Sequence, residues 1–454
     1  MFLTKAIHFI FGEGEENRGV FRSIFSNLFT VAALTLLVKG VALGKDLFVA
    51  GQFGTSWLMD VFIVAYLVPG LVAQLLSAVP DALLPVYADA REKEGVESAN
   101  RVVSGVLWIY AVLLLLLMGI LFAVAEPMLG LVGGIQNPEQ MEVALKLFHI
   151  LIPLVFLECF VAVFASVLQA NQRFVITSTA PALIPATVLV VLLVWGDALS
   201  ISSLAIGTVI GTSLQICLVV WGSIRYCGFR LSLFAKVDRP TLKRVGLMVA
   251  PLIAGEAFLV SSTFIDTTMA AWLGDGMVST YQYALKVFTI LILLATVSVG
   301  EVIFPRFSKM AAKEDWAGLR NIYTRFSGII VCSSVLVSVL LYAFAPFIVE
   351  ILFERGKFTP QDTLHVSEVL RFCTLQLPFC LLGLISNRTL VSMGRGKLLI
   401  GITLISAICN VFFNILFVKW IGLPGIALST AGVYLVSGLI MRAAVMKELR
   451  RRME

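Results

Sequence analysis

Residues 278–303 read VSTYQYALKVFTILILLATVSVGEVI, and this stretch decides the fold. It exceeds the roughly 20 mostly apolar residues a helix needs to cross a bilayer, yet Lys286 stands well inside it. An ammonium at that depth costs roughly 2.5–3.5 kcal/mol on insertion scales and usually marks a pathway or a site. Working outward, comparable segments recur at about 25–44, 57–79, 103–125, 144–168, 174–195, 201–224, 246–272, 327–350, 367–391, 398–419 and 424–446. They are continuously apolar rather than alternating, which excludes a membrane β-barrel. The expected fold is all-α and integral to a membrane, with about 12 transmembrane helices.

Composition agrees. Of 454 residues, 59% are hydrophobic and only 14% charged, against about 25% charged in a soluble domain. The net charge of +6 follows from where cations sit between spans and does not point to nucleic acid. The seven cysteines form no CxxC pair and mostly lie in apolar segments, where they read as small buried hydrophobes. Residues 1–24 mix apolar and charged side chains with no cleavage-site pattern, so a short interfacial helix is expected there rather than a signal peptide.

Cationic residues gather in alternate connections: Arg91, Lys93 and Arg101; Arg225, Arg230, Lys236, Arg239, Lys243 and Arg244; Arg306, Lys309, Lys313, Arg320 and Arg325; and Lys447, Arg450, Arg451 and Arg452. The opposite connections hold few, among them Lys45, Lys146, Arg355, Lys357 and Lys419. The positive-inside rule then places both termini in the cytoplasm.

The two halves resemble each other at a nearly fixed offset. Asp46 and Asp266, Gly54 and Gly274, and Pro85 and Pro305 are each 220 residues apart, and Leu168–Arg173 runs parallel to Leu390–Arg395 at 222. An even number of spans per half gives a parallel repeat about an axis along the membrane normal. The expected organisation is an interfacial segment (1–24), a first six-helix lobe (25–224), a basic linker (225–245), a second six-helix lobe (246–446) and a basic tail (447–454). Two such lobes leave a central cavity that rocking would expose to each side in turn, which suits a transporter.

Lys39, Lys45 and Lys286 are the candidates for binding. Three lysines from opposed lobes would clamp a phosphate-bearing ligand as point charges. Gly40 and Gly44 form a small-xxx-small pair that favours close helix packing or permits a bend. Asp60 reads as an interfacial carboxylate, as a partner of Lys39 or Lys45, or as a proton or sodium site. Asp266 reads as the counter-ion of Lys286 or as a packing residue, and Arg371 either joins the site or reaches the surface. Glu158, Glu256, Glu301 and His149 read as structural. No Walker A motif, metal-ligand spacing or Ser/His/Asp arrangement stands out, so ATP hydrolysis and metal catalysis are not expected.

Several motifs resemble one family. The run LFERGKFTPQD from Leu352 to Asp362 is similar to the LFxRGxFTxxD signature of the MviN/MurJ lipid II flippases, part of the multidrug/oligosaccharidyl-lipid/polysaccharide exporter superfamily. The run LAIGTVIGTSLQ from Leu204 to Gln215 resembles the family's LAIGxxIGxxxQ, and FPRFS from Phe304 to Ser308 its FPRLS. Lys45-Asp46, Phe53-Gly54, Asp60, Val64-Ala65-Tyr66 and Pro69 follow its first hairpin.

The resemblance implies a multi-pass bacterial inner-membrane flippase rather than an enzyme. It would move an undecaprenyl-diphosphate-linked saccharide, lipid II or a related repeat unit, from the inner to the outer leaflet. Its partners would be that lipid, membrane lipids and cell-envelope synthesis enzymes; no cofactor is implied, and the coupling ion, Na+ or H+, is left open. Lys39 and Lys45 match two family Arg positions in the first span, Lys286 the Arg of the family's YAxR, and Asp60 a family Asp. Ala73 stands where the family usually has Arg, and family members typically carry two further spans. An exopolysaccharide or O-antigen repeat-unit exporter and a drug/cation antiporter are the alternatives within the superfamily. A membrane glycosyltransferase or polymerase and a non-transporting scaffold are those outside it.

Overall fold

The computed structural model describes residues 15–232 and 239–454, with side chains for 33–232, 245–257, 260–292, 306–396 and 398–454. Expectations for residues 1–14 and the middle of the basic linker lie outside the described residues. The described chain is helical and contains no strand.

The helices of the first half are α1 (Glu15–Phe53), α2 (Trp57–Leu76), α3 (Ala78–Glu94), α4 (Val96–Ala123), α5 (Ala125–Gly133), α6 (Pro138–Leu151), α7 (Pro153–Ala170), α8 (Phe174–Thr179), α9 (Leu183–Leu199) and α10 (Ser202–Cys227). Those of the second are α11 (Arg239–Ala271), α12 (Met277–Ala312), α13 (Trp316–Phe353), α14 (Pro360–Thr374), α15 (Leu377–Ser392), α16 (Lys397–Ile421) and α17 (Pro424–Met453). Nine helical stretches among the described residues are long and apolar enough to cross a membrane, and the pair α14 and α15, bent by 41°, makes ten. The two other expected spans fall on α1 and α12.

Proline and glycine explain where the elements differ from the apolar segments. The fourth span starts at Pro138, earlier than expected, because Asn137 caps Glu139 N and proline at the first helical position gives up no bond. Pro153 then divides that span into α6 and α7. The tenth begins at Pro360 under a capping box in which Thr359 and Asp362 bond each other's backbone. Residues 15–24 continue α1 rather than forming a helix of their own. Gly40 and Gly44 do not serve close packing: a Cβ on either meets nothing within 4 Å. Gly207 and Gly211 of α10 do: a Cβ there would stand 2.8 and 2.7 Å from the Cα atoms of Val188 and Ile184 on α9.

The internal repeat is visible in the backbone. Arg173 N bonds Leu168 O at 2.9 Å, and Arg395 N bonds Leu390 O at 2.9 Å, each closing a helix through a left-handed residue, Gln172 or Gly394. Large apolar side chains such as Leu116, Trp195, Phe412 and Trp420 face outward. On a soluble protein such a surface would aggregate, whereas in a bilayer it is solvated.

Candidate functional site

A cavity of about 830 Å³ opens between the halves. Lys39 and Lys45 reach it from α1, and Lys286 from α12, so the structure brings the three lysines together. Asp46 stands between two of them: its Oδ1 accepts from Lys45 Nζ at 2.7 Å and from Lys286 Nζ at 2.8 Å. The Lys286–Asp46 pair ties α12 to α1 across the two halves. Lys286 also lies 5.4 Å from the ring centre of Tyr283, which packs on Phe353 and Phe358. Lys39 is exposed to the cavity and has no ion-pair partner among the described residues.

Asp266 is not the counter-ion of Lys286. It is buried inside the second half, where Oδ1 accepts from Asn410 Nδ2 at 3.1 Å and Asn414 Nδ2 at 2.7 Å. Its Oδ2 accepts from the hydroxyls of Tyr281 and Thr430, both at 3.2 Å. The i, i+4 spacing of the two asparagines on α16 puts both amides on one face toward it. A carboxylate ringed by amides and hydroxyls offers oxygen atoms suited to a hard cation or a proton. No group of three or more His, Cys, Asp and Glu gathers among the described residues.

Asp60 does not pair with a lysine either. Its Oδ1 accepts from Ser279 N at 2.7 Å, at the third residue of α12. A carboxylate of one half thus caps a helix of the other and meets the positive end of its dipole. Around it the halves are held together by Lys357 N to Gly51 O at 2.7 Å, Thr55 to Asp362, Trp272 Nε1 to Leu131 O at 2.9 Å and Gln140 to Asp275. Glycine is required here. Gly54, at φ +57°, would place a Cβ 2.7 Å from Lys357 O, and Gly276, at φ +80°, one 2.7 Å from Thr55 O.

At the opposite end Arg91 bonds Cys227 O within the first half, and Arg395 and Arg452 pair with Glu448 within the second. Arg371 lies outside the cavity, over the Tyr342 ring and bonded to its carbonyl.

Two cavity residues escaped the sequence reading. Asp46 was legible only as a repeat position and as the neighbour of Lys45. Glu158 was read as structural, although a carboxylate halfway along an apolar segment was itself a signal; it lines the cavity. Ala73 also lies on the cavity wall.

The sequence matches the family model described as lipid II flippase MurJ over residues 49–451. A probable lipid II flippase MurJ of Rickettsia prowazekii is 22% identical over 415 residues, covering 90% of this chain and 81% of the relative. One from Synechocystis is 25% identical over 435 residues, covering 92% and 80%. Among solved structures, a lipid II flippase MurJ in an inward closed conformation superposes with TM-score 0.78 at 22% identity, over 93% of this chain and 89% of that one. An inward-facing multidrug resistance MATE family transporter of the MOP superfamily gives 0.78 at 14% identity, over 93% and 98%, and an outward-facing one 0.63, over 94% and 96%. With its helical order, its cavity between halves and a family match over most of its length, this chain belongs to the lipid II flippase MurJ family.

Proposed function

We propose that the protein flips a polyprenyl-diphosphate-linked saccharide, lipid II or a closely related cell-envelope precursor, from the inner to the outer leaflet of a bacterial inner membrane by alternating access. The observation that carries this reading is the meeting of Lys39, Lys45 and Lys286, from two halves of the chain, in one cavity. A polar head group faces about 30 Å of hydrocarbon, and each unsatisfied polar group costs several kcal/mol there. A wet cationic cavity removes much of that barrier, while the polyprenyl tail stays in lipid.

With basic connections inside, the end closed by Asp60, Gly54 and Gly276 is the outer one, and the conformation is closed to the outside. The higher TM-score against the inward-facing than the outward-facing MATE structure supports this. Asp46 holds Lys45 and Lys286 in place and neutralises part of their charge until phosphate replaces it. Loaded, the halves part at the outer end, and Ser279 N and the other inter-half groups exchange their partners for water. Asp266 is the candidate site for a coupling Na+ or proton. Ala73, which leaves the cavity one cation short of the family pattern, favours as a second reading a related repeat unit with fewer anionic contacts. Three lysines suit neither a small organic cation nor its antiport.

The test is translocation of labelled lipid-linked precursor in reconstituted vesicles. Lys286→Met removes one charge-assisted hydrogen bond to phosphate, worth about 1.5–3 kcal/mol, and lowers transport about tenfold or more. Transport at the parental rate would end the clamp reading.

A further inference from the structure

Glu158 lies midway along the fourth span, on α7, and opens to the same cavity as the lysines. One carboxylate oxygen accepts from the Tyr66 hydroxyl at 3.2 Å. Among the described residues the other oxygen has no hydrogen-bond partner, and it is not sealed off from the cavity. Among the described residues no cation forms an ion pair with this carboxylate: the cavity lysines belong to α1 and α12, and two of them are engaged by Asp46. A carboxylate at this depth with no paired cation is costly unless it takes up a proton or a ligand uses it.

Its surroundings indicate which ligand. Phe62 and Tyr66 stand one turn apart on α2 with their rings stacked, centroids 6.5 Å apart and planes at 21°, and both line the cavity. An aromatic face beside a charged acceptor complements a pyranose: the C–H face of the sugar packs on the ring, and a hydroxyl or amide N–H donates to the carboxylate. Gln74 and Thr208 add polar groups to the lining of the same cavity. A free amine fits less well, because the three lysines and two carboxylates leave the cavity net positive.

We propose that Phe62, Tyr66 and Glu158 form a saccharide subsite, which holds the sugar next to the diphosphate while Lys39, Lys45 and Lys286 hold the diphosphate. The assignment rests on the flippase reading and extends it from the phosphates to the sugar. Tyr66 is a positioning residue, fixing one carboxylate oxygen so that the other points at the ligand. The cavity volume is within the range of about 300–1,000 Å³ that encloses a drug-sized ligand.

The experiment measures affinities of the full chain in lipid nanodiscs for two probes. One is polyprenyl diphosphate; the other is the same lipid bearing an N-acetylated disaccharide with no free amine. The parental protein prefers the disaccharide lipid. Glu158→Ala lowers that preference about tenfold, the loss of a charge-assisted hydrogen bond. Phe62→Ala lowers it too, and Glu158→Gln, which keeps an acceptor without the charge, falls between. Affinity for the sugar-free lipid stays at the parental value in all three, which also shows that the variants are folded. An unchanged preference in Glu158→Ala and Phe62→Ala overturns the subsite, as does an equal loss for both probes. A Lys286→Met protein that still binds the sugar-free lipid at full strength instead overturns the diphosphate clamp, so the two failures are distinct.

Discussion

Replacing Asp46 by Asn is expected to tighten the binding of a diphosphate lipid while slowing its transport. Asp46 Oδ1 sits 2.7 and 2.8 Å from two ammonium nitrogens. A phosphate held by the same ammoniums from the cavity side would have its charge about 5 Å from the carboxylate. Two unit charges at that separation repel by about 1–3 kcal/mol for an effective dielectric constant between about 80 and 20. Asparagine keeps the shape and an accepting oxygen but removes the repulsion. Looser positioning of the two lysines costs about 0–1 kcal/mol, the range for a solvent-accessible pair. The net effect is an affinity higher by up to about a hundredfold. Transport falls, because tighter holding at every stage does not lower the barrier between stages and the empty cavity must return with two unneutralised ammoniums. Equilibrium binding of polyprenyl diphosphate in nanodiscs gives the first quantity and vesicle translocation the second. Weakening as large as that of Lys286→Met would refute this, since Asp46 would then be needed to bind rather than to be displaced.

Two further substitutions probe the other carboxylates. Asp266→Ala strands four neutral donors, those of Tyr281, Asn410, Asn414 and Thr430, and lowers stability by about 1–3 kcal/mol for each one that finds no other partner, read as a fall in thermal unfolding midpoint. If Asp266 also holds the coupling ion, added Na+ raises the midpoint of the parental protein and not that of Asp266→Asn. Asp60→Ala removes the cap on Ser279 N and weakens closure of the end proposed to face outward by about 0.5–2 kcal/mol. That appears as faster labelling of a cysteine introduced at Thr263 on the cavity wall, applied from outside; unchanged labelling means Asp60 does not hold that end shut.

The spans and their repeat were legible because a bilayer admits few backbone solutions and long apolar runs announce themselves. Lys286 was found for the same reason, since charge in such a run is rare. Partners were not legible. Asp46 and Asp266 occupy equivalent repeat positions, yet one faces the cavity and the other an amide-lined interior. Nothing in one sequence tells which way equivalent residues of two diverged halves turn. Asp60 was ambiguous because its partner is a backbone N–H, which leaves no trace in residue identity. Gly40 and Gly44 carried a packing pattern but face open space, whereas the family-like Gly207 and Gly211 carry the close helix contact. Arg371 was ambiguous from its place near a helix end, and the surface reading is the one the Tyr342 contact favours.

The most direct measurement locks the end at which Asp60, Gly54 and Gly276 join the halves. Thr55 and Asp362 are in side-chain contact across the halves, so cysteines at both positions, with the exposed Cys217 and Cys332 replaced by Ser, can be bridged by a short thiol cross-linker that is cleaved by reductant. Transport of the lipid-linked saccharide in vesicles is expected to stop on cross-linking and to return on reduction, while binding of the lipid to the locked protein persists. Transport that continues in the cross-linked protein would contradict alternating access through this cavity.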